Sequence, residues 1–352
     1  MLDYQKIVCE IREKQNISLE QLRTILDTQS EDETQFLYKQ ARAVADATYG
    51  KYVFKRGLIE FTNYCKNDCY YCGIRKSNTG TSRYRLSGEQ ILSCCEQGYA
   101  LGFRTFVLQG GEDGYYSDEK LCDIVREIRN RYPDCAITLS VGERTKESYQ
   151  KLYEAGANRF LLRHETANGC HYEKLHPQGM SLTHRMQCLK DLKEIGYQVG
   201  CGIMVGSPYQ TVESLYEDLC FMKEFQPHMI GIGPFIPQKD TPFADKEAGT
   251  LEMTLKLLSI IRLMHPNVLL PATTALGTIH ERGRELGILA GANVVMPNLT
   301  PAQVRDKYNL YDNKICTGKE AAEGHEELKR AIQAIGYTLV DARGDYGKPY
   351  HI

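Results

Sequence analysis

No apolar run in the 352-residue chain approaches the ~18–20 residues a membrane-spanning helix needs. The N-terminus is amphipathic and charged, with none of the apolar core of a secretory signal. A net charge of −2, with 25% charged residues, leaves no basic excess for a polyanion such as nucleic acid. Low-complexity stretches and Ser/Pro linkers are missing, so one compact soluble unit is the simplest account of the chain. Tryptophan is absent while tyrosine is numerous, at 23, and no function follows from that bias. No G-x-G-x-x-G follows the first strand, which removes the main support for a doubly wound dinucleotide fold. No H-x₃-H pair falls on one helix face, so a separate histidine metal site is not expected. The 13 cysteines are odd in number and scattered through helical and strand-like segments. That usage fits a reducing cytosol, and an anaerobe, rather than a disulfide framework.

What is present is a repeating pattern. Residues 1–50 read as a helical extension, with Ile7, Ile11, Ile17, Leu19, Leu22 and Leu26 at helical intervals and Ser18 as an N-cap. From there, eight short apolar runs alternate with amphipathic helical stretches: 58–62, 105–109, 136–141, 159–163, 199–205, 229–235, 268–272 and 293–296. Ser117 opens the clearest of the helices, with Leu121, Ile124, Val125 and Ile128 on one face. Continuous apolar strands alternating with helices indicate a parallel sheet. Eight such units predict an α/β fold closed as a (β/α)₈ barrel over residues 51–317. Residues 318–352 then form a C-terminal helix and tail packed on the barrel. Chemistry in such a fold sits at the C-terminal ends of the strands, and polar and glycine residues do gather there, as in 62–65, 109–113, 140–143, 163–166 and 273–274.

Cys65, Cys69 and Cys72 follow the first run in a C-x₃-C-x₂-C spacing. Three thiolates on one loop suit three irons of a [4Fe–4S] cube and leave the fourth iron open to a ligand. A structural zinc site is the plainer alternative, but it needs a second ligand pair and none lies near. Gln109-Gly-Gly-Glu112 follows the second run, where paired glycines let carbonyls approach a ligand. Arg163 and Glu165 end the fourth run and either pair with each other or meet a ligand. Arg185, on the next helix, has the fork that grips a carboxylate. Thr273 and Thr274 either cap a helix or help to bind an anion. Met296, Tyr308 and Tyr311 fit either packing or a site.

The cysteine loop after a first strand resembles that of the radical S-adenosylmethionine superfamily. Longer stretches, among them Ile59-Glu-Phe-Thr-Asn63, Leu161-Leu-Arg-His-Glu-Thr-Ala-Asn168, Gly231-Ile-Gly-Pro-Phe-Ile-Pro237 and Pro271-Ala-Thr-Thr-Ala275, resemble the HydE-type maturases of [FeFe]-hydrogenase across roughly residues 50–317. The resemblance implies a barrel enzyme that forms a 5′-deoxyadenosyl radical and directs it at the cysteine sulfur of an Fe(CO)₂(CN)–cysteine synthon. It implies cluster ligation by Cys65, Cys69 and Cys72. S-adenosylmethionine is then expected at Tyr71, Gln109, Gly110, Gly111, Glu112, Ser140, Glu165 and Arg185. Arg163, Thr273 and Thr274 would line an anion site, with Met229, Met296, Tyr308, Tyr311 and again Ser140 around the substrate. Some members carry an auxiliary cluster on three C-terminal cysteines. Here only Cys316 remains, with Gly324 and Glu327 at the other two positions, so a single cluster is expected. The implied partners are a tyrosine-lyase-type maturase that supplies the substrate, transient contact with the other maturases and a low-potential electron donor. A cytoplasmic monomer is expected. A methylornithine-synthase-like or biotin-synthase-like enzyme is the alternative within the superfamily.

Overall fold

A computed structural model describes residues 3–315 and 321–348. The strands in chain order are β1 (Tyr52–Lys55), β2 (Gly57–Thr62), β3 (Thr105–Gly110), β4 (Ala136–Ser140), β5 (Arg159–Leu161), β6 (Gln198–Cys201), β7 (Met204–Val205), β8 (Met229–Ile230), β9 (Gly233–Pro234), β10 (Val294–Val295) and β11 (Thr338–Val340). Six of them pair side by side in parallel, in the order β2-β3-β4-β5-β6-β8, and β7 pairs with β9. The ring then closes through single bridges, Met229 to Leu269, Pro271 to Val294 and Leu58 to Asn298. At the seam Leu58 donates to the Pro297 carbonyl at 2.9 Å and accepts from the Leu299 N–H at 2.7 Å.

The eight expected runs therefore lie around one barrel, with local differences. Runs 199–205 and 229–235 are each broken in two, because the chain carries Gly202 and Gly231 at the breaks and a Cβ at Gly202 would fall 2.0 Å from the Gly231 carbonyl oxygen. Run 268–272 makes bridges without forming a regular strand, and Pro271 has no N–H for a ladder. Two strands were not anticipated. β1 lies between β10 and β11 in a small parallel sheet at the N-terminal end of the barrel.

Alternation decides which side chains face the lumen. Phe106, Leu108, Ile137, Leu139, Phe160, Leu162, Ile230 and Ile232 join the main apolar core under the helices. The intervening Leu161 and Met229 pack instead with Leu269, Val294 and Met296, inside the ring.

The N-terminal helices Tyr4–Lys14, Leu19–Asp27 and Glu31–Tyr49 are opened by Asp3, Ser18 and Ser30, each accepting a backbone N–H. They are not detached from the barrel. Arg42 donates to the carbonyls of Ile288 and Ala292 at 2.7 and 2.8 Å. The expected boundary at residues 50–51 falls at Gly50, which ends the third helix with φ +66°. The boundary at 317–318 lies outside the described residues. Past it, β11 pairs with β1, and Asp345 meets the buried Arg159 at 2.7 Å. No helix among the described residues is long and apolar enough to cross a membrane.

Candidate active site at the barrel mouth

The cysteine loop leaves β2 and is stitched down by backbone contacts. Gly73 donates to Leu310 O at 2.9 Å. Arg83 donates to the carbonyls of Asn63, Ile74 and Arg75, and Asp68 accepts from Arg75 Nε at 2.6 Å. Cys65, Cys69 and Cys72 are free and half-buried, and Cys65 Sγ accepts the Glu112 N–H at 3.4 Å. Burial raises all three thiols, Cys72 to about 12 and Cys69 further, and the neighbouring cysteines add to the rise at these two. Thiols so raised stay protonated unless a cation claims them as thiolates. Among the described residues no three His, Cys, Asp or Glu converge where one metal ion would sit. A cube asks for a different arrangement, one thiolate for each of three irons. The donor set therefore fits a [4Fe–4S] cluster better than a lone zinc ion.

The turn after β3 packs on this loop. A Cβ at Gly111 would lie 2.2 Å from Tyr64 O and 2.7 Å from Cys65 Cβ, so glycine lets the two loops touch. Glu112 is fixed in place: Oε1 accepts the Glu143 N–H at 2.9 Å and Oε2 pairs with Lys66 at 3.1 Å. Gly142, at φ +74°, leaves room where a Cβ would fall 2.1 Å from Glu112 Cγ. Gln109 and Ser140 stand in register on β3 and β4. Tyr71 meets His176 Nε2 at 3.1 Å through its hydroxyl.

Arg163 and Glu165 lie 3.3 Å apart, yet Arg163 Nη2 and Glu165 Oε2 make no directed hydrogen bond and are buried. Their charges attract while their polar atoms stay free for a ligand. Glu165 sits at φ +65°, held from behind by a buried pair that sequence reading missed. His164 Nε2 is 3.4 Å from Asp218 Oδ1, and the same oxygen accepts the Ala167 N–H at 2.5 Å. Arg185 pairs with Glu143 at 2.5 Å and donates to Arg163 O at 3.1 Å. Burial is the largest influence and works against its charge, but Glu143 together with Tyr172, Tyr71 and Glu112 outweighs it, and the guanidinium stays protonated. In the sequence Glu143 stands out only as a polar residue at a strand end. Its partnership with Arg185, 42 positions later, leaves no local trace.

Thr273 occupies the N-cap position of the helix Thr274–Ile279 but makes no capping bond, and its hydroxyl is buried without a partner. The Thr274 carbonyl accepts from Thr278 Oγ1 at 3.0 Å. Tyr308 is buried with its hydroxyl 3.4 Å from Gln109 Nε2, and Tyr311 is half-buried in the same segment. That segment is anchored by a second unanticipated pair: Lys314 meets Glu60 Oε1 at 2.5 Å and donates to Tyr308 O at 2.9 Å. Met229 lies at the start of its strand, deep in the barrel, where its sulfur accepts from Arg56 Nη1 at 2.6 Å. Met296 packs in the same cluster. Cys316 lies outside the described residues.

A parallel barrel with three cysteines on the loop after β2 and a Gly-Gly-Glu turn after β3 defines a radical S-adenosylmethionine enzyme. Residues 59–222 match the family model "Radical SAM superfamily". The chain is 44% identical over 329 residues to the [FeFe] hydrogenase maturase subunit HydE of Thermotoga maritima, covering 94% of each chain. It is 35% identical over 321 residues to a 3-methylornithine synthase of Methanosarcina acetivorans, covering 91% of this chain and 88% of that one. The crystal structure of methylornithine synthase superposes with a TM-score of 0.85 at 29% identity, over 95% of this chain and 97% of that one. The chain belongs to the HydE family of radical S-adenosylmethionine enzymes.

Proposed function

We propose that this protein matures [FeFe]-hydrogenase, acting in its lumen on an Fe(CO)₂(CN)–cysteine synthon made by a tyrosine-lyase-type maturase, to give a precursor of the diiron subcluster. The lumen wall carries this reading over a methylornithine-type reaction. From β6 round to β10 the inward positions include Gly200, Met229, Gly231, Leu269, Thr273 and Met296, none of them charged, and the charge that reaches this wall is cationic, Arg56 Nη1 at 2.6 Å from the Met229 sulfur. A diamino acid needs charged partners once it leaves water, whereas a soft, neutral or anionic ligand suits two polarizable thioethers. Ile230 and Ile232, on the same run, point outward into the core under the helices.

Cys65, Cys69 and Cys72 would hold one [4Fe–4S] cluster, and Tyr71, Gln109, Gly110, Gly111, Glu112, Ser140, Glu165 and Arg185 would hold S-adenosylmethionine. Together these groups supply, when bound, an electron and a 5′-deoxyadenosyl radical. The chain's own part is binding and exclusion. The Gly110–Gly111 carbonyls and Glu112 receive an ammonium, and Arg185, already shared with Glu143, orients the turn at Arg163. Arg163, Thr273 and Thr274 offer free donors to an anionic group of the substrate. Tyr308, Tyr311 and the Lys314–Glu60 pair cover the mouth and keep water out. Gly324 and Glu327 fall on the helix Ala321–Ala334 where an auxiliary cluster would need thiolates, so we assign a single cluster. We assign a cytoplasmic monomer that meets the other maturases and a low-potential electron donor transiently, with no nucleic-acid or membrane partner.

The test is anaerobic maturation of hydrogenase lacking its diiron subcluster, with this protein as the sole HydE-type component. Hydrogen evolution that requires both the protein and S-adenosylmethionine is expected. Failure of maturation together with turnover of L-lysine would transfer the protein to the methylornithine-type reaction.

A further inference from the structure

Glycine recurs on the inward face of the barrel wall, at Gly200 and Gly202 and again at Gly231 and Gly233. Three of the four are demanded by packing. A Cβ at Gly202 would lie 2.0 Å from Gly231 O, and one at Gly233 would lie 2.7 Å from Thr273 Oγ1. At Gly200 it would lie 2.8 and 2.9 Å from the side-chain ends of Leu161 and Met229.

Gly231 has no such reason. Its φ is outside the left-handed region, and its N–H makes an ordinary 2.9 Å bond to Cys201 O. A Cβ there would find nothing nearer than Cys201 O at 3.9 Å and Pro271 Cγ at 4.0 Å. A strand glycine that neither geometry nor sterics requires weakens the fold, because it loses more chain entropy than alanine and packs nothing. Its neighbours Ile230 and Ile232 turn into the outer core, so position 231 faces the lumen, above Met229 and beside Pro271.

We infer that Gly231 is a specificity-determining residue whose missing side chain reserves a recess in the lumen wall for the uncharged part of the substrate. The recess is bounded by the Pro271 ring and the Cys201 carbonyl, the nearest atoms to the missing Cβ. Neither of these neighbours is charged or carries an N–H, so the recess accepts an apolar or weakly polar group, such as the carbonyl-bearing face of a low-valent metal complex, and offers no counter-charge to an ammonium or a carboxylate. What fills the recess rests on the function proposed above, but the recess itself does not.

The experiment compares wild type, Gly231→Ala and Gly231→Val as reconstituted proteins in three assays. These are thermal unfolding, S-adenosylmethionine cleavage without substrate, and maturation over a range of concentrations of synthon generated in situ by the partner maturase. Both variants should unfold at or above the wild-type temperature and cleave S-adenosylmethionine within twofold of it. Gly231→Val should lose at least tenfold in kcat/KM for maturation, mostly through KM, with Gly231→Ala between. A lower unfolding temperature for Gly231→Ala would mean the glycine serves the fold, and unchanged kcat/KM in a folded Gly231→Val would mean the recess is not used; either result overturns the inference. If the wild type matures nothing but turns over L-lysine, the proposed function has failed, and the same KM comparison made with lysine decides the recess separately.

Discussion

Cys69 is half-buried beside Cys65 and Cys72, and burial first, then those two neighbours, pushes its thiol far above the ordinary range. Such a residue gains from ligating iron and serves the fold little as a free thiol. Cys69→Ala should therefore keep the fold but lose reconstituted iron, cluster absorbance and S-adenosylmethionine cleavage together. Deoxyadenosine still formed by that variant would sink the assignment. The three cysteines are legible in the chain because their spacing is local. Glu143 is not, since its role exists only where β4 and the helix Leu182–Ile195 bring it to Arg185 at 2.5 Å. Removing one member of a buried pair strands the other, at about 3–5 kcal/mol. Arg185→Leu should cost stability of that order, read by denaturant unfolding, and weaken S-adenosylmethionine binding at equilibrium. A variant as stable as wild type would show that the pair contributes nothing.

At the scale of elements, the alternation of apolar runs with helices predicted the barrel, and the ends of those runs predicted the mouth. Helix starts were equally legible. Ser18 and Ser117 both accept the N–H groups expected of caps, because capping acts over three residues. Strand regularity was less legible, since run 268–272 is apolar enough for a strand while Pro271 denies it a ladder bond. β1 was hidden because Tyr52–Lys55 runs directly into the next strand and needs β10 and β11 as partners. Loop-to-loop contact is likewise invisible locally, and Gly111 shows it. Gly111→Ala would force a Cβ against Tyr64 O and Cys65 Cβ. The variant should fold, with a circular dichroism spectrum like that of wild type, but hold much less cluster iron after reconstitution. Full iron content would refute the close packing of the two loops.

The whole molecule depends on keeping buried histidines neutral. Burial lowers His176 and His265 to about 4 and also depresses His171, His228 and His325. In the unfolded chain these groups titrate near 6.5. As pH falls from 6.5 toward 4 the unfolded state binds protons that the folded state refuses, so stability is full above about pH 6.5 and drains below it. His176 and His265 each contribute on the order of 3 kcal/mol to that loss. The unfolding temperature of cluster-free protein should drop between pH 7 and 5, and His265→Leu should flatten the slope; an equal slope in the variant would contradict this. The tail matters at the same scale. Asp345 meets Arg159 at 2.7 Å on the barrel floor, so Asp345→Ala leaves a guanidinium buried and should destabilise the whole barrel by about 3–5 kcal/mol, measured as a shift in the urea midpoint. An unshifted midpoint would show that the tail is not coupled to the barrel.

The amino-acid order alone determined the fold class, the position of the mouth and the three-cysteine loop, because periodicity, capping and ligand spacing are local properties of a chain. Tertiary structure alone decided which charges meet: Glu143 with Arg185, Asp218 with His164, Glu60 with Lys314 and Asp345 with Arg159. It also decided which glycines are steric necessities and which, like Gly231, leave space. Such relations join residues from different turns of the barrel, and they come into being only when the ring closes and sets strand against strand.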